Sequence, residues 1–476
     1  MKKLRWAMDG GFWDLDVCTP RTLDGLARPV PGDPIPLGVS RGTRLSRAKQ
    51  LHFMQRFMAA PFVPSYAAAS NGFALHRVLT IPFSENWFCT LLGQFNLQKL
   101  VSSLMKESGE RPAPPPNSAS SLLQQFESVG RHLLDKSLYA FGFSSELLLT
   151  PDDTLLLSTD SHSHSHADKK TPRKKAVFHH KFPNHNLTVE AVSPALFVDK
   201  SGNYWDVPFS MAIDLASLSP DSGASYHICM HHNAGSPAQF GGDQTTHEPP
   251  ATLLPGLSLK TAFSFKQNFD IWRTKAKKLK MVQPYDIFLS SPHVSASGII
   301  GAAMTASVGD CSVRSQDDFQ DPNCFSFEAS GVKSAFLADL FASVSFTAQH
   351  GKFQRLFLDL TRFHACLDFP SGSRLLSGAT NLVHDLINSR QPSLEDFQAI
   401  CPNASLSLQQ QIAGPFSFRV DLGIAVDLKN RDQPLRVVEP ILAIEYALQV
   451  LGSAKAVAWY SPKHQEFMVE LRFFET

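Results

Sequence analysis

FSFRVDLGIAVDLK, residues 416–429, alternates without a break. Phe416, Phe418, Val420, Leu422, Ile424, Val426 and Leu428 point one way; Ser417, Arg419, Asp421, Gly423, Ala425, Asp427 and Lys429 point the other. A period of two puts the first set on one face of a β-strand and the second on the opposite face. Strands of globular proteins average roughly five or six residues, so this one is long. Segments of about ten residues, apolar outside and polar inside, are what a membrane-crossing β-barrel is built from. A long strand of a soluble antiparallel sheet with one buried face alternates in the same way.

The same period recurs over much of the chain. Phe209, Met211, Ile213 and Leu215 alternate with Ser210, Ala212 and Asp214. Leu259, Phe263, Phe265, Phe269 and Ile271 alternate with Lys260, Ser264, Lys266 and Asp270, and Leu442, Ile444, Tyr446, Leu448 and Val450 face away from Ala443, Glu445, Ala447 and Gln449. At the C-terminal end Phe467, Val469, Leu471 and Phe473 stand opposite Glu470 and Arg472, joined to residues 455–460 by a turn at 461–465 in a hairpin. Strands are therefore expected from about residue 138 to 476, with one helical insertion at about 374–400. Its two helices span 374–388 and 393–400, the second opened by Ser393 as N-cap. At about twenty to twenty-five residues per strand and connection, that region holds about fourteen to sixteen strands.

Residues 1–137 read differently. Residues 21–42 carry four prolines and no periodicity. A short helix over 46–58 has Leu51, Met54 and Met58 on one stripe and is stopped by Pro61. Leu97, Leu100, Val101 and Leu104 set a helix over 94–106, residues 109–121 with Pro112 and Pro114 to Pro116 form a linker, and Leu122, Phe126, Val129, Leu133 and Leu134 mark another helix. The expected division is a helical and irregular N-terminal region, 1–137, followed by a β-barrel domain, 138–476.

Lys plus Arg number 44 and Asp plus Glu 43, a balance that argues against a nucleic-acid partner. Charged residues make up 18% of the chain, below the roughly 25% of ordinary soluble domains, as expected where much of the surface is out of water. Residues 1–17 do not read as a secretory signal, and the best uncharged run, 290–309, is diluted by Ser, Gly, Pro292 and His293 and is no transmembrane helix. A closed barrel is then the remaining way to cross a bilayer, since it alone satisfies every strand's backbone groups there. Seven scattered cysteines suggest reduced thiols.

No nucleophile elbow, phosphate loop, HExxH or paired CxxC occurs, so no catalytic residue and no cofactor is expected. His162, His164 and His166 lie in a polar loop that is more simply solvated than metal-binding. His179, His180 and His185, and His227, His231 and His232, have no acidic or cysteine neighbour at ligand spacing and are expected at rim or lumen positions, so no metal site is assigned. The basic cluster Arg41, Arg44, Arg47, Lys49 and Arg56 precedes and enters an amphipathic helix offering Leu51, Phe53, Phe57 and Met58. Arg forks fit phosphate oxygens and the apolar neighbours suit acyl chains, although a solvated helix face has the same composition.

Several segments resemble the trigalactosyldiacylglycerol 4 family of plant chloroplast lipid-transfer proteins. The likeness runs from WDLD (13–16) and PLGVSRGTRLSRAKQ (36–50) through DKSLYAFGF (135–143), PDDTLLLS (151–158) and YWDVPFSMAIDLASL (204–218). It continues in PYDIFLSSPHV (284–294), LDLTRFHACLDFP (358–370), NSRQPSLE (388–395), EYALQVLGSAKAV (445–457) and the terminal FMVELRFFET. The resemblance implies an antiparallel transmembrane-type β-barrel of the chloroplast outer envelope that is not an enzyme. It further implies binding of phosphatidic acid and related glycerolipids, homodimer formation, and lipid passage from endoplasmic reticulum contact sites toward inner-envelope transporter components. Lipid binding in the family belongs to the N-terminal part, which implies Arg41, Arg44 and Arg47, with Lys49 and Arg56 beside them, as headgroup contacts. Two other classes stay open: a soluble lipid-storage barrel with its apolar face inward, and a lipid-modifying enzyme.

Overall fold

In the computed structural model the described residues are 28–29, 52, 62–67, 72–110, 129–162, 172–198, 204–217, 223–239, 249–270, 293–308, 324–329, 332–350, 360–369, 371–388, 393–426, 435–448, 454–463 and 465–473. Eighteen of the strands they form close into one antiparallel barrel, each pairing with the next in the sequence and the last with the first. The first half of the wall is β1 (Val63–Ala67), β2 (Gly72–Ser84), β3 (Trp87–Asn96), β4 (Tyr139–Leu148), β5 (Asp153–His162), β6 (Arg173–Lys181), β7 (His185–Ser193), β8 (Phe209–Ser217) and β9 (Ala224–Ala234). The second half is β10 (Gly256–Asp270), β11 (His293–Val308), β12 (Val332–His350), β13 (Thr361–Phe369), β14 (Asn403–Ala413), β15 (Phe416–Val426), β16 (Leu435–Leu448), β17 (Ala454–Ser461) and β18 (Glu466–Phe473). A short strand, Cys324–Ala329, adds a hairpin to the start of β12. An even number of antiparallel strands puts the start of β1 and the end of β18 at the same end of the barrel.

The wall is apolar outside and polar inside. On β15 Phe416 and Phe418 are exposed, whereas Ser417 and Arg419 between them are buried. On β9 Tyr226, Ile228 and Met230 face out, and Ser225, His227, Cys229 and His231 face in. Aromatic side chains gather near both rims: Phe83 stacks on Trp87 and Phe416 packs on Tyr446 at one, while Phe95, Tyr139 and Phe141 stack at the other. An outward apolar band between aromatic girdles is the surface of a transmembrane-type barrel. A soluble barrel that stored lipid would have the reverse arrangement.

The division expected at residue 137 does not follow the barrel, because β1, β2 and β3 all precede it. Fifteen of the eighteen strands come after Leu138, within the fourteen to sixteen expected of that region; the three early ones raise the total. They were hidden because β2 carries apolar residues on both faces, Leu75 and Leu79 outside with Ala74 and Val78 inside, so its period of two is faint. The helix expected over 94–106 is α1, Leu97–Glu110, and residues 94–96 instead finish β3. Asn96 opens it by accepting from Lys99 N at 2.8 Å. Beside it Gly72, at φ +64°, lets the chain turn into β2: a Cβ there would fall 1.9 Å from Gln98 Oε1. The helices expected over 46–58 and from 122 lie outside the described residues apart from helical His52 and the end of the latter, 129–133.

The two rims differ in kind. Tight turns join β2 to β3, β4 to β5, β6 to β7 and β14 to β15 at one rim. The opposite rim carries α1, the helix pair α2 (Gly372–Ile387) and α3 (Leu394–Ile400), and a small sheet of Arg28–Pro29, Ala195–Val198, Tyr204–Val207 and Ala238–Gln239. The helical insertion and its Ser393 cap are where the sequence places them; Ser393 Oγ accepts from Asp396 N at 3.1 Å, and Ser371 caps α2. The final hairpin is β17 and β18.

Candidate lipid-facing wall and lumen

Several polar side chains inside the wall meet partners on neighbouring strands. Arg419 Nη1 lies 3.1 Å from Glu445 Oε1 and its Nε 3.5 Å from Asp421 Oδ2. Gln409 Nε2 donates to Ser417 Oγ at 2.9 Å and to Glu445 Oε2 at 3.2 Å, so β14, β15 and β16 share one network. The β15–β16 register slips between Asp421 and Gly423, whose partners are Ile441 and Val438, and Pro440 falls in the resulting bulge. A proline cannot donate to the ladder, and a bulge is where a strand tolerates it.

A second inward cluster ties the small sheet to the wall. Arg173 Nε donates to Pro194 O at 2.8 Å and its Nη2 lies 3.4 Å from Asp206 Oδ1. Lys175 Nζ pairs with Glu190 Oε1 at 3.4 Å. Val192, Ala195, Phe197, Trp205, Val207 and Leu253 form a buried core between the sheet and the strands, and Phe197 meets His231 edge-on. The sheet thus rests on inward-facing residues of β6, β7 and β9 at that rim.

Histidines sit at the rim and in the lumen, as expected; Cys229, two residues from both His227 and His231, is a local neighbour that the sequence reading passed over, and acidic partners reach two histidines from adjacent strands. His227 Nε2 lies 2.5 Å from Asp214 Oδ1, and His180 Nδ1 lies 2.6 Å from Asp153 Oδ1. His179 pairs with Thr188, His185 with Tyr226 and His231 with Cys229 Sγ. All but the His231–Cys229 pair are cross-strand neighbours separated in sequence, which local spacing cannot reveal. Among the described residues no three His, Cys, Asp or Glu side chains converge as a metal site. Cys89, Cys229, Cys366 and Cys401 are in no disulfide. His162 closes β5, whereas His164 and His166 lie outside the described residues.

The basic cluster Arg41, Arg44, Arg47, Lys49 and Arg56 also lies outside the described residues. Of that segment His52 alone is described; its ring Nδ1 lies 3.3 Å from Thr80 O on β2. The wall therefore offers a hydrocarbon-facing exterior and a hydrogen-bonded interior, a surface suited to sitting in a bilayer.

No family model matches the chain. It is 57% identical over 486 residues to the Arabidopsis thaliana protein named "Protein TRIGALACTOSYLDIACYLGLYCEROL 4, chloroplastic", with all of both chains covered. The chain therefore belongs to the trigalactosyldiacylglycerol 4 family.

Proposed function

We propose that the protein sits in the chloroplast outer envelope, binds phosphatidic acid and related glycerolipids, and moves them from the endoplasmic reticulum side toward inner-envelope transporter components. The work is binding and passage without covalent chemistry, and the working unit is a homodimer. The observation that carries the reading is the orientation of the wall, apolar outside and polar inside, in a chain related over its whole length to a protein whose name specifies a chloroplast and a galactolipid. The N-terminal part of the chain supplies the headgroup contacts: Arg41, Arg44 and Arg47 offer guanidinium forks to a phosphate monoester, with Lys49 and Arg56 beside them.

Vesicle flotation tests the binding. Arg41→Gln, Arg44→Gln and Arg47→Gln combined should weaken flotation on vesicles containing phosphatidic acid and leave phosphatidylcholine vesicles unaffected, because choline compensates the latter's phosphate. The difference should shrink in high salt, where screening has already weakened the wild type. Undiminished flotation of the triple variant moves the headgroup site away from this cluster. Turnover of labelled lipid by the purified protein would replace transfer with an enzymatic reading.

A further inference from the structure

The barrel closes through its shortest wall strand. β1 has five residues; it pairs with β2 over 63–67 against 72–76, and with β18 over 65–67 against 466–468. β2 runs on to Ser84 and β18 to Phe473, so the closing ladder stops well before either neighbour ends. The next interface, β17–β18, is paired over all eight residues of β18. β1 contains Pro64, and β2 contains Pro82 beyond the ladder; neither can donate to a strand partner. Past His76 no other strand of the described residues pairs with this side of β2, where His52 Nδ1 lies 3.3 Å from Thr80 O.

Chemistry changes at the same place. The outer row of β2 reads Phe73, Leu75, Arg77, Leu79, Ile81, Phe83, one cation in an apolar stripe. Arg77 is exposed and is the first residue past the closing ladder, since His76 is the partner of Val63. Its guanidinium carbon lies 5.6 Å from the Phe62 ring centroid, and no carboxylate of the described residues pairs with it. An arginine on the hydrocarbon face of a barrel is costly unless it meets an anion or water. Behind the seam the buried Trp459, Met468 and Ala74 fall on one rung through Ser65, and Val78 and Leu92 alternate with the buried polar His76, Thr80, Thr90 and Gln94. Elsewhere the inner wall is held by charged networks such as Arg419–Glu445 and Lys175–Glu190.

We propose that the β2–β18 seam, bridged among the described residues by β1 alone, is a lateral portal through which a glycerolipid with an anionic phosphate headgroup passes between bilayer and lumen, its phosphate received at Arg77. This rests on the transfer reading above and specifies where the lipid crosses. The short ladder is the part of the wall that opens with the fewest hydrogen bonds lost. Trp459 and Met468 line the inner side of the seam, and Arg77 marks the outer lip.

A reversible lock tests it. Ser65→Cys with Met468→Cys links the two strands at a direct register pair; Thr347→Cys with His364→Cys links β12 to β13 as a control. Transfer of a fluorescent phosphatidic acid between protein-containing phosphatidylcholine vesicles and acceptor vesicles is measured oxidised and reduced. The seam lock should slow transfer about tenfold when oxidised and release it on reduction, with the control unchanged. Arg77→Gln, a surface change that leaves the ladder intact, should slow phosphatidic acid transfer by about tenfold through loss of a charge-assisted contact. Unlocked and locked proteins transferring alike, or Arg77→Gln transferring like the wild type, overturns the portal while leaving the transfer reading standing. A wild type that moves no lipid removes the transfer reading and the portal with it. Should the cysteine variant stay inactive even when reduced, the Arg77→Gln arm decides.

Discussion

Arg419 on β15 and Glu445 on β16 meet inside the wall at 3.1 Å, with Arg419 only 2% exposed. Desolvating such a pair is costly, and its worth lies in each charge neutralising the other. Glu445→Ala should therefore destabilise the barrel more than the deletion of a surface carboxylate does, by about 3 kcal/mol, because Arg419 loses the carboxylate that stands 3.1 Å from it. Arg419→Met combined with Glu445→Leu should recover most of that loss. Urea titration of the folded barrel in micelles checks both, and equal midpoints for Glu445→Ala and the wild type would mean that lumen water already solvates Arg419.

Depth along the outer face gives a second expectation. Ile300, in the middle of β11, is 67% exposed, while Leu257 lies at the β10 rim that carries the small sheet. Ile300→Arg should cost about 2–4 kcal/mol of insertion free energy and Leu257→Arg about 1 kcal/mol or less, since the penalty falls off toward the interface. Competing insertion against urea-unfolded protein measures the difference. Equal costs would mean that this surface is not spanning hydrocarbon.

The inference from sequence worked where a rule is local. Alternation in residues 416–426 gave the strand, Ser393 gave the start of α3, and the turn after Ser461 gave the last hairpin. A period of two cannot say which face is inside, because Phe418 and Arg419 alternate identically in a storage barrel and a membrane barrel. It took the closure of the sheet to put Arg419 in the lumen. Closure itself was illegible: β1 is five residues long with Pro64 in it, too short and too irregular to read as a strand. Arg77 carries no local signal either, since its place just past the closing ladder is set by where β1 stops pairing with β2. The basic cluster from Arg41 to Arg56 was legible as composition and lies outside the described residues.

The helix pair should respond to acid. Asp396 sits at the start of α3, outside the wall, and accepts from Ser393 Oγ and from Asn381 Nδ2 of α2 at 2.9 Å. These hydrogen bonds, Ser393's first, hold its carboxyl below the ordinary value of 3.8. A folded value depressed below the unfolded one stabilises above 3.8, and the contribution disappears as pH falls through the folded value. Hydrogen exchange of α3 amides should accordingly speed up relative to the barrel strands on acidification below about pH 4. Asp396→Asn, which keeps a cap acceptor but loses the charge, should flatten that pH dependence. Unchanged dependence in the variant would assign it to another group.

Gly301 of β11 shows how tightly the interior is filled. A Cβ there would fall 2.2 Å from Phe341 Cζ and 2.5 Å from Thr261 O. Phe341, Ala262 and Ile299 form a buried inward-facing cluster, and Lys260 Nζ stands 5.4 Å from the Phe341 ring centroid. Gly301→Ala must therefore move both a ring and the backbone of β10, and overpacking of this kind costs about 1–3 kcal/mol. Phe341→Leu removes the ring clash but not the contact with Thr261 O, so the double variant should recover only part of the loss. A strictly additive cycle between Gly301→Ala and Phe341→Leu would mean the ring yields freely and the backbone carbonyl sets the whole cost. Thermal unfolding of the four proteins in the same micelles reads the cycle. Partial rescue is the expected result, because one of the two obstacles is a β10 carbonyl that no side-chain change removes.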